Sequence, residues 1–287
     1  MTLLAIPNVS EGRREEAVRA LARAFGEREA GVRLLDVHRD PDHNRSVYTL
    51  AGEPQTLSAA VLAGAGAALE LIDLRRHEGV HPHVGAIDVA PIVWLEEEQR
   101  GAACAEALVL GDRLGQELGL PVFLYGVLAG GRTRAELRRG GVEALARRVR
   151  EGELRPDFGP ARIDPRHGAT LVAARGPLVA FNVELAPPAG LEEARRIAAA
   201  IREGGPEGLP GVRALGLWLK TARIAQVSTN IEDYRRAGPA EVLAAVARHA
   251  PVAGAELVGL APRAAFAGFP EQVPIRGLRL VEDALGR

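Results

Sequence analysis

The order of apolar and polar segments predicts an α/β (α+β) protein made of two tandem ferredoxin-like βαββαβ subdomains. Three observations carry this prediction. Short apolar, β-branched runs alternate with Ala- and Leu-rich segments of helical period. The order β-α-β-β-α-β is traced once up to Leu95 and again from Leu178. Between the two passes, Arg155–Gly168 is rich in Pro, Gly and charge and has no period. The halves share this order without detectable sequence identity. The expected division is residues 1–176 and 177–287, with the halves meeting near Arg155–Gly176.

Taken in order, Thr2–Ile6 is short and apolar and reads as a strand. Asn8–Gly12 turns the chain, and Ser10 has the chemistry of a helix N-cap. Val18, Leu21, Ala22 and Phe25 then recur at helical spacing. Val32–Val37 reads as a strand, His38–Arg45 as a polar loop and Ser46–Leu50 as the next strand. The Ala/Leu-rich run Thr56–Leu74 reads as a helix and Ile87–Leu95 as a fourth strand. Helix Arg100–Leu118 leads to strand Val122–Tyr125. Thr133–Arg150 reads as one basic amphipathic helix with a solvated charged face. Arg155–Gly168 is either a linker or a ligand loop. In the second half, strands are expected at Leu178–Leu185, Val212–Leu219, Ile224–Thr229 and Glu256–Leu260. Helices are expected at Leu191–Arg202 and Pro239–Arg248.

Bulk properties narrow the function classes. At 287 residues the chain can bury a large core unaided. Its formal net charge of −1 provides no broad field for nucleic acid or an anionic membrane. Lys220 is the only lysine, so the cations are arginines, whose planar forks suit carboxylates. Cys104 is the only cysteine, which excludes an intrachain disulfide and a cysteine zinc cluster. It reads as a small apolar core residue. The N-terminus lacks a basic segment followed by a long apolar run, and the expectation is a cytoplasmic protein.

The stretch RRHEGVHPHVGAIDVAP, Arg75–Pro91, holds His77, His81 and His83 and spells H-E-x-x-H. A zinc protease needs both histidines on one helical face. Gly79 between them costs about 1 kcal/mol in a helix. Pro82 pushes His81 toward extended geometry. The metal reading therefore lacks its structural context, and no resident metal is expected. A catalytic loop between a helix and a strand and an exposed His-rich loop both remain open. Asp88, where the strand begins, could fix a histidine, face a cationic substrate or close the loop on its own backbone. DPDHNR, with Asp40, His43, Asn44 and Arg45, is either a self-satisfied turn or a polar ligand site, and His38 stands just before it.

IPNVSEG, LLDVHRDPDHNRSVYTLAG, LIDLRRHEGVHPHVGAIDVAP, PDFGPARIDPRHGATLVAARG, LVAFNVEL and IAQVSTNIEDY resemble the formiminotransferase-domain family. That domain is glutamate formiminotransferase itself and also the N-terminal half of the bifunctional formiminotransferase-cyclodeaminase. The resemblance spans nearly the whole chain in the expected order. It implies two α/β subdomains with a folate cleft between them, and a homodimer. It implies transfer of the formimino group from N-formimino-L-glutamate to N5 of tetrahydrofolate, the co-substrate, in histidine degradation and one-carbon metabolism. The family's catalytic histidine falls on His81. Its folate-binding stretch falls on Gly159, Pro160, Ala161, Arg162, Ile163, Asp164, Pro165, Arg166, His167 and Gly168. Arg45 becomes the candidate for gripping a donor carboxylate. His38, Asp40, His43, Asn44, His77, His83 and Asp88 become candidates for substrate contact.

An amidine carbon is already electrophilic, so the chemistry needs no oxyanion hole. It needs a group that removes a proton from N5 and returns one to the departing nitrogen, and imidazole serves both steps near neutral pH. Two positions depart from the family pattern. His38 stands where relatives often carry an acid, and His167 where they often carry an aromatic. Formyl transfer between N-formylglutamate and folate, a folate-binding module without catalysis, and a metalloprotease remain the competing readings.

Overall fold

Pro7 breaks the first strand, because it has no N–H for the ladder. β1 (Leu3–Ala5) and β2 (Asn8–Val9) flank it, and both pair antiparallel with β4 (Arg45–Gly52) and β5 (Ile87–Val93). These elements belong to a computed structural model that describes residues 1–26 and 30–287. The chain divides into two units, Met1–Gly176 and Pro177–Arg287, and each has its own sheet.

In the first unit α1 (Glu15–Gly26) follows β2 and buries Ala17, Val18, Leu21, Ala24 and Phe25 along one stripe. Ser10 does not cap it. The Ser10 hydroxyl donates to the Gly85 carbonyl at 2.7 Å. Glu11 accepts from the Arg13 and Arg14 N–H groups at 2.8 and 2.9 Å and so satisfies the free amides ahead of the helix. β3 (Arg33–Asp40) forms the outer hairpin strand on β4. It runs through His38, Arg39 and Asp40, which sequence pattern placed in a loop. There, cross-strand pairing with Val47, Ser46 and Arg45 overrides low strand propensity. α2 (Thr56–Leu71) ends three residues early, at Ile72, and a single 3-10 turn, Leu74–Arg76, follows.

The strands to this point lie in the order β5, β1/β2, β4, β3, all antiparallel, in a β-α-β-β-α-β sequence. α3 (Arg100–Glu117), β6 (Val122–Leu124) and β7 (Thr170–Arg175) then extend the sheet. β7 lies between β5 and β6 and runs parallel to both. β7 is missing from the sequence reading, which treated its surroundings as a junction. It is buried on both faces, so it shows an apolar run and not an alternation. Thr133–Arg150 is two helices, α4 (Arg134–Arg138) and α5 (Gly141–Arg150), parted at Arg139 and Gly140. Cys104 is only partly buried in α3 and packs on the core edge.

The second unit repeats the order with β8 (Val179–Leu185), α6 (Leu191–Ile201), β9 (Val212–Leu219), β10 (Ile224–Ile231), α7 (Pro239–Ala247) and β11 (Val252–Val258). Its sheet runs β12 (Ile275–Arg276), β11, β8, β10, β9. A short helix, α8 (Val281–Leu285), ends the chain. Phe181, Val183, Ile197, Val242, Val246 and Leu257 form the core. The other face of the sheet holds a buried polar group: Asn182 and Gln226 donate to Glu256 at 3.1 and 3.3 Å, and Arg276 pairs with it at 3.2 Å. No helix among the described residues is long and apolar enough to cross a membrane.

Candidate active site

The histidine-rich stretch is not helical beyond Arg76. His77 has extended backbone (φ −78°, ψ 128°), and no helix resumes before β5. His77 and His81 therefore do not share a helix face, and the H-E-x-x-H pattern fails on geometry.

The loop is fixed from several sides. Asn44, at the end of the turn before β4, accepts the Gly12 N–H at 2.9 Å and donates to the Glu78 carbonyl at 3.0 Å. Its amide also lies 3.3 Å from His77 Nδ1. The neighbouring backbone is tight: a Cβ on Gly12 would stand 2.4 Å from the Asp40 carbonyl and 2.5 Å from Arg45 N, so only glycine fits there. Asp88, buried at the start of β5, accepts the Val84 N–H at 2.8 Å through Oδ1 and takes Arg138 of α4 through Oδ2. One carboxylate thus closes the loop and ties α4 to it.

Within this frame, the Arg45 Nη1–H donates to His81 Nε2 at 2.8 Å. A guanidinium only donates, so in this arrangement Nε2 carries the lone pair. Burial, then the Arg45, Arg138 and His43 charges, hold His81 well below the usual imidazole range, against the pull of the Pro82 carbonyl. The ring is neutral at neutral pH. Burial and the Arg138 charge bring Arg45 down to about 9, so it stays cationic there. His43 is buried, with its ring centroid 5.8 Å from that of His81. His77 and His83 pack edge-to-face at 4.3 Å. Burial and the nearby His83 lower His77 to about 4. Asp40 Oδ1 accepts from the Asp42 and His43 N–H groups, both at 2.8 Å, which is the turn reading of DPDHNR.

The segment of residues 159–168 lies against this loop. Gly85 and Gly168 form an antiparallel bridge, and the Ala86 N–H donates to the His167 carbonyl at 2.8 Å. Ala169 donates to Val84 at 2.8 Å, and Leu74 donates to Arg166 at 2.9 Å. Asp164 turns the chain by accepting the Gly168 N–H at 2.7 Å on its carbonyl. Gly168 has φ +72°, and a Cβ there would sit 2.1 Å from the Val84 carbonyl. Ile163 is buried, whereas Pro160, Ala161, Arg162, Pro165 and Arg166 are exposed. His167 is partly buried and lies with Nε2 3.1 Å from the Leu69 carbonyl, so the ring is tied to α2. Gly159 lies at the far end, packed on Leu120 and Gly115. The segment is part of the first unit and not a linker between units.

Residues 2–175 match the family model described as formiminotransferase domain, N-terminal subdomain, and residues 180–269 match that described as formiminotransferase domain. The chain belongs to the formiminotransferase family. It is 40% identical over 270 residues to the formimidoyltransferase-cyclodeaminase of Sus scrofa, a match covering 90% of this chain and 49% of that one. It is 35% identical to the glutamate formimidoyltransferase of Streptococcus pyogenes, covering 93% of this chain and 91% of the relative. It is 36% identical to that of Thermoplasma acidophilum, covering 91% and 88%. The chain thus spans about half the length of the cyclodeaminase-bearing relatives.

For a formiminotransferase fold, one group stands out that sequence reasoning missed. Arg138 and Arg134 lie on the helix face expected to be solvated. Arg138 is 11% exposed, pairs with Asp88 and acts on both Arg45 and His81. Arg134 lies over the Tyr125 ring at 5.7 Å and also acts on Arg45. The sequence marks only the bounds of this helix: Thr133 and Glu136 form a capping box that starts it, and Gly140–Gly141 ends it after Arg138.

Proposed function

We propose that this chain transfers the formimino group from N-formimino-L-glutamate to N5 of tetrahydrofolate, releasing L-glutamate and 5-formiminotetrahydrofolate. What carries the reading is one juxtaposition within the first unit: the His81 loop, the Arg45 guanidinium from β4, the Arg138 guanidinium from α4 and the 159–168 segment lie against one another. The donor has two carboxylates, and the arginines match them in charge and geometry. Folate has a flat pterin and an anionic tail. The exposed Pro160–Arg162 and Pro165–Arg166 surfaces suit them, with backbone groups for the pterin and Arg162 or Arg166 for the tail.

In the reaction N5 attacks the formimino carbon, and a C–N5 bond forms. N5 becomes cationic and passes its proton to His81 Nε2. The imidazolium returns that proton to the glutamate nitrogen, the C–N bond to glutamate breaks, and the amine leaves. Protons balance, and the imidazole is regenerated. A neutral His81 starts this cycle in the right state. Asp88 holds the loop, and His43 and His77 pack around it. The rest of the acceleration comes from holding two substrates together. The same reading brings with it a homodimer, a cytoplasmic setting and a role in histidine degradation.

The test is glutamate release from formiminoglutamate, with and without tetrahydrofolate, and with N-formylglutamate as the competing donor. Folate-dependent release from the formimino donor is expected. Release from the formyl donor alone would overturn the donor assignment. His81→Ala is expected to lose about 10²–10⁴ in turnover while still binding folate. Unchanged turnover would remove His81 from the chemistry.

A further inference from the structure

In the free protein, Arg45 occupies the nitrogen that the transfer needs. Its Nη1 lies 2.8 Å from His81 Nε2, and a guanidinium can only donate there. With that contact in place, Nε2 cannot take a proton from N5. The same two arginines hold unspent donors. Arg45 Nε and Arg138 Nε are both enclosed and have no hydrogen-bond partner among the described residues. A buried N–H without an acceptor is costly and marks a place where an acceptor belongs.

The charges around the ring point the same way. Arg45 from β4, with Arg138 and Arg134 from α4, supply the cations. Asp88 from β5 and Asp40 from β3 supply the carboxylates, and His43 lies alongside. Both Asp88 oxygens are engaged, one by Val84 N–H and one by Arg138. Asp40 Oδ1 is engaged by two backbone amides. The cluster has positive charge to spare, and the acceptor it lacks is an anion with two parallel oxygens.

We propose that Arg45 is a latch opened by the donor: a carboxylate of the incoming substrate draws Arg45 off His81 and onto itself, with Arg138 as the second arm, and so frees Nε2 for the proton of N5. This rests on the reading of the chain as a formiminotransferase with His81 as its base. Arg45 and Arg138 are then carboxylate-binding residues, and Arg45 is also the residue that keeps His81 idle until a donor is bound. A monocarboxylate too short to reach the pair leaves the latch shut.

The experiment follows His81 by NMR in histidine-labelled full-length protein, with L-glutamate as the probe because it carries the donor's carboxylates and cannot react. Saturating glutamate is expected to raise the His81 pKa by about one unit or more, because a cation leaves its lone pair. In Arg45→Met the free protein is expected to show the raised value already and to ignore glutamate. Arg138→Met is expected to raise the donor KM at least tenfold, with a smaller change in kcat. A crystal structure with glutamate bound provides a readout independent of the variants' folding. Arg45 still within hydrogen-bond reach of Nε2 in that structure would overturn the latch. So would a wild-type His81 titration indifferent to glutamate, or a shift that survives in Arg45→Met. The glutamate-release assay stands apart: transfer with no His81 response sinks the latch and leaves the activity in place, whereas absence of transfer from any donor sinks the activity.

Discussion

At the scale of single residues, the chemistry of the site is set by burial more than by residue type. His77 and His81 are ordinary histidines in composition, yet both are held neutral by enclosure and neighbouring positive charge. This has a consequence for stability. His77 titrates near 4 when folded and near 6.5 when unfolded, so between those values the unfolded chain binds the extra proton. Stability is therefore complete above pH 6.5 and falls as pH drops toward 4, with a limiting slope of about 1.4 kcal/mol per pH unit for each such imidazole. Denaturant titrations across that range should show the fall, and His77→Gln should make it shallower, with His81 responsible for the remainder. An equally steep fall in the variant would assign the effect elsewhere. His77 and His81 were legible as candidates from their types alone. Arg138 was not, because a charged residue on an amphipathic helix looks the same in sequence whether it meets water or a buried carboxylate.

At the scale of elements, periodicity located most strands and helices, and the failures have common physical causes. Ser10 has N-cap chemistry, but its hydroxyl found the Gly85 carbonyl, and the amides ahead of the helix went to Glu11. β7 escaped notice because a parallel strand buried on both faces has no alternation to read. Its position beside β5 is what brings the 159–168 segment onto the histidine loop. Gly168 is the joint: its φ is +72°, and a Cβ there would stand 2.1 Å from the Val84 carbonyl, which leaves no room for a side chain. Gly168→Ala is expected to push the two loops apart, weakening tetrahydrofolate binding and turnover together by at least about tenfold, the effect of losing roughly 1.4 kcal/mol of positioning. Equilibrium folate binding by fluorescence and the glutamate-release assay would measure both. Full activity in that variant would mean that the bridge to Gly85 does not position the site.

At the scale of the whole molecule, the chain is two units that fold by the same β-α-β-β-α-β order around separate cores. In the second unit Phe181 is fully buried and packs edge-to-face on Phe266 and Phe269 at 6.2 and 5.7 Å. Phe181→Ala should cost about 3–5 kcal/mol, read as lost amide-exchange protection along Val179–Val258. Unchanged protection there would show that this ring is not central to the unit's stability. The sequence by itself determined the repeated element order, the family motifs and the types of side chain that meet at the site, because period, turn chemistry and motif spacing are local properties of the chain. Only the tertiary structure decided that Arg45 rests on His81, that Arg138 reaches Asp88, and that Gly168 locks against Gly85. Those contacts join residues 36, 50 and 83 positions apart in the chain, and no local pattern carries the packing and charge balance that bring them together.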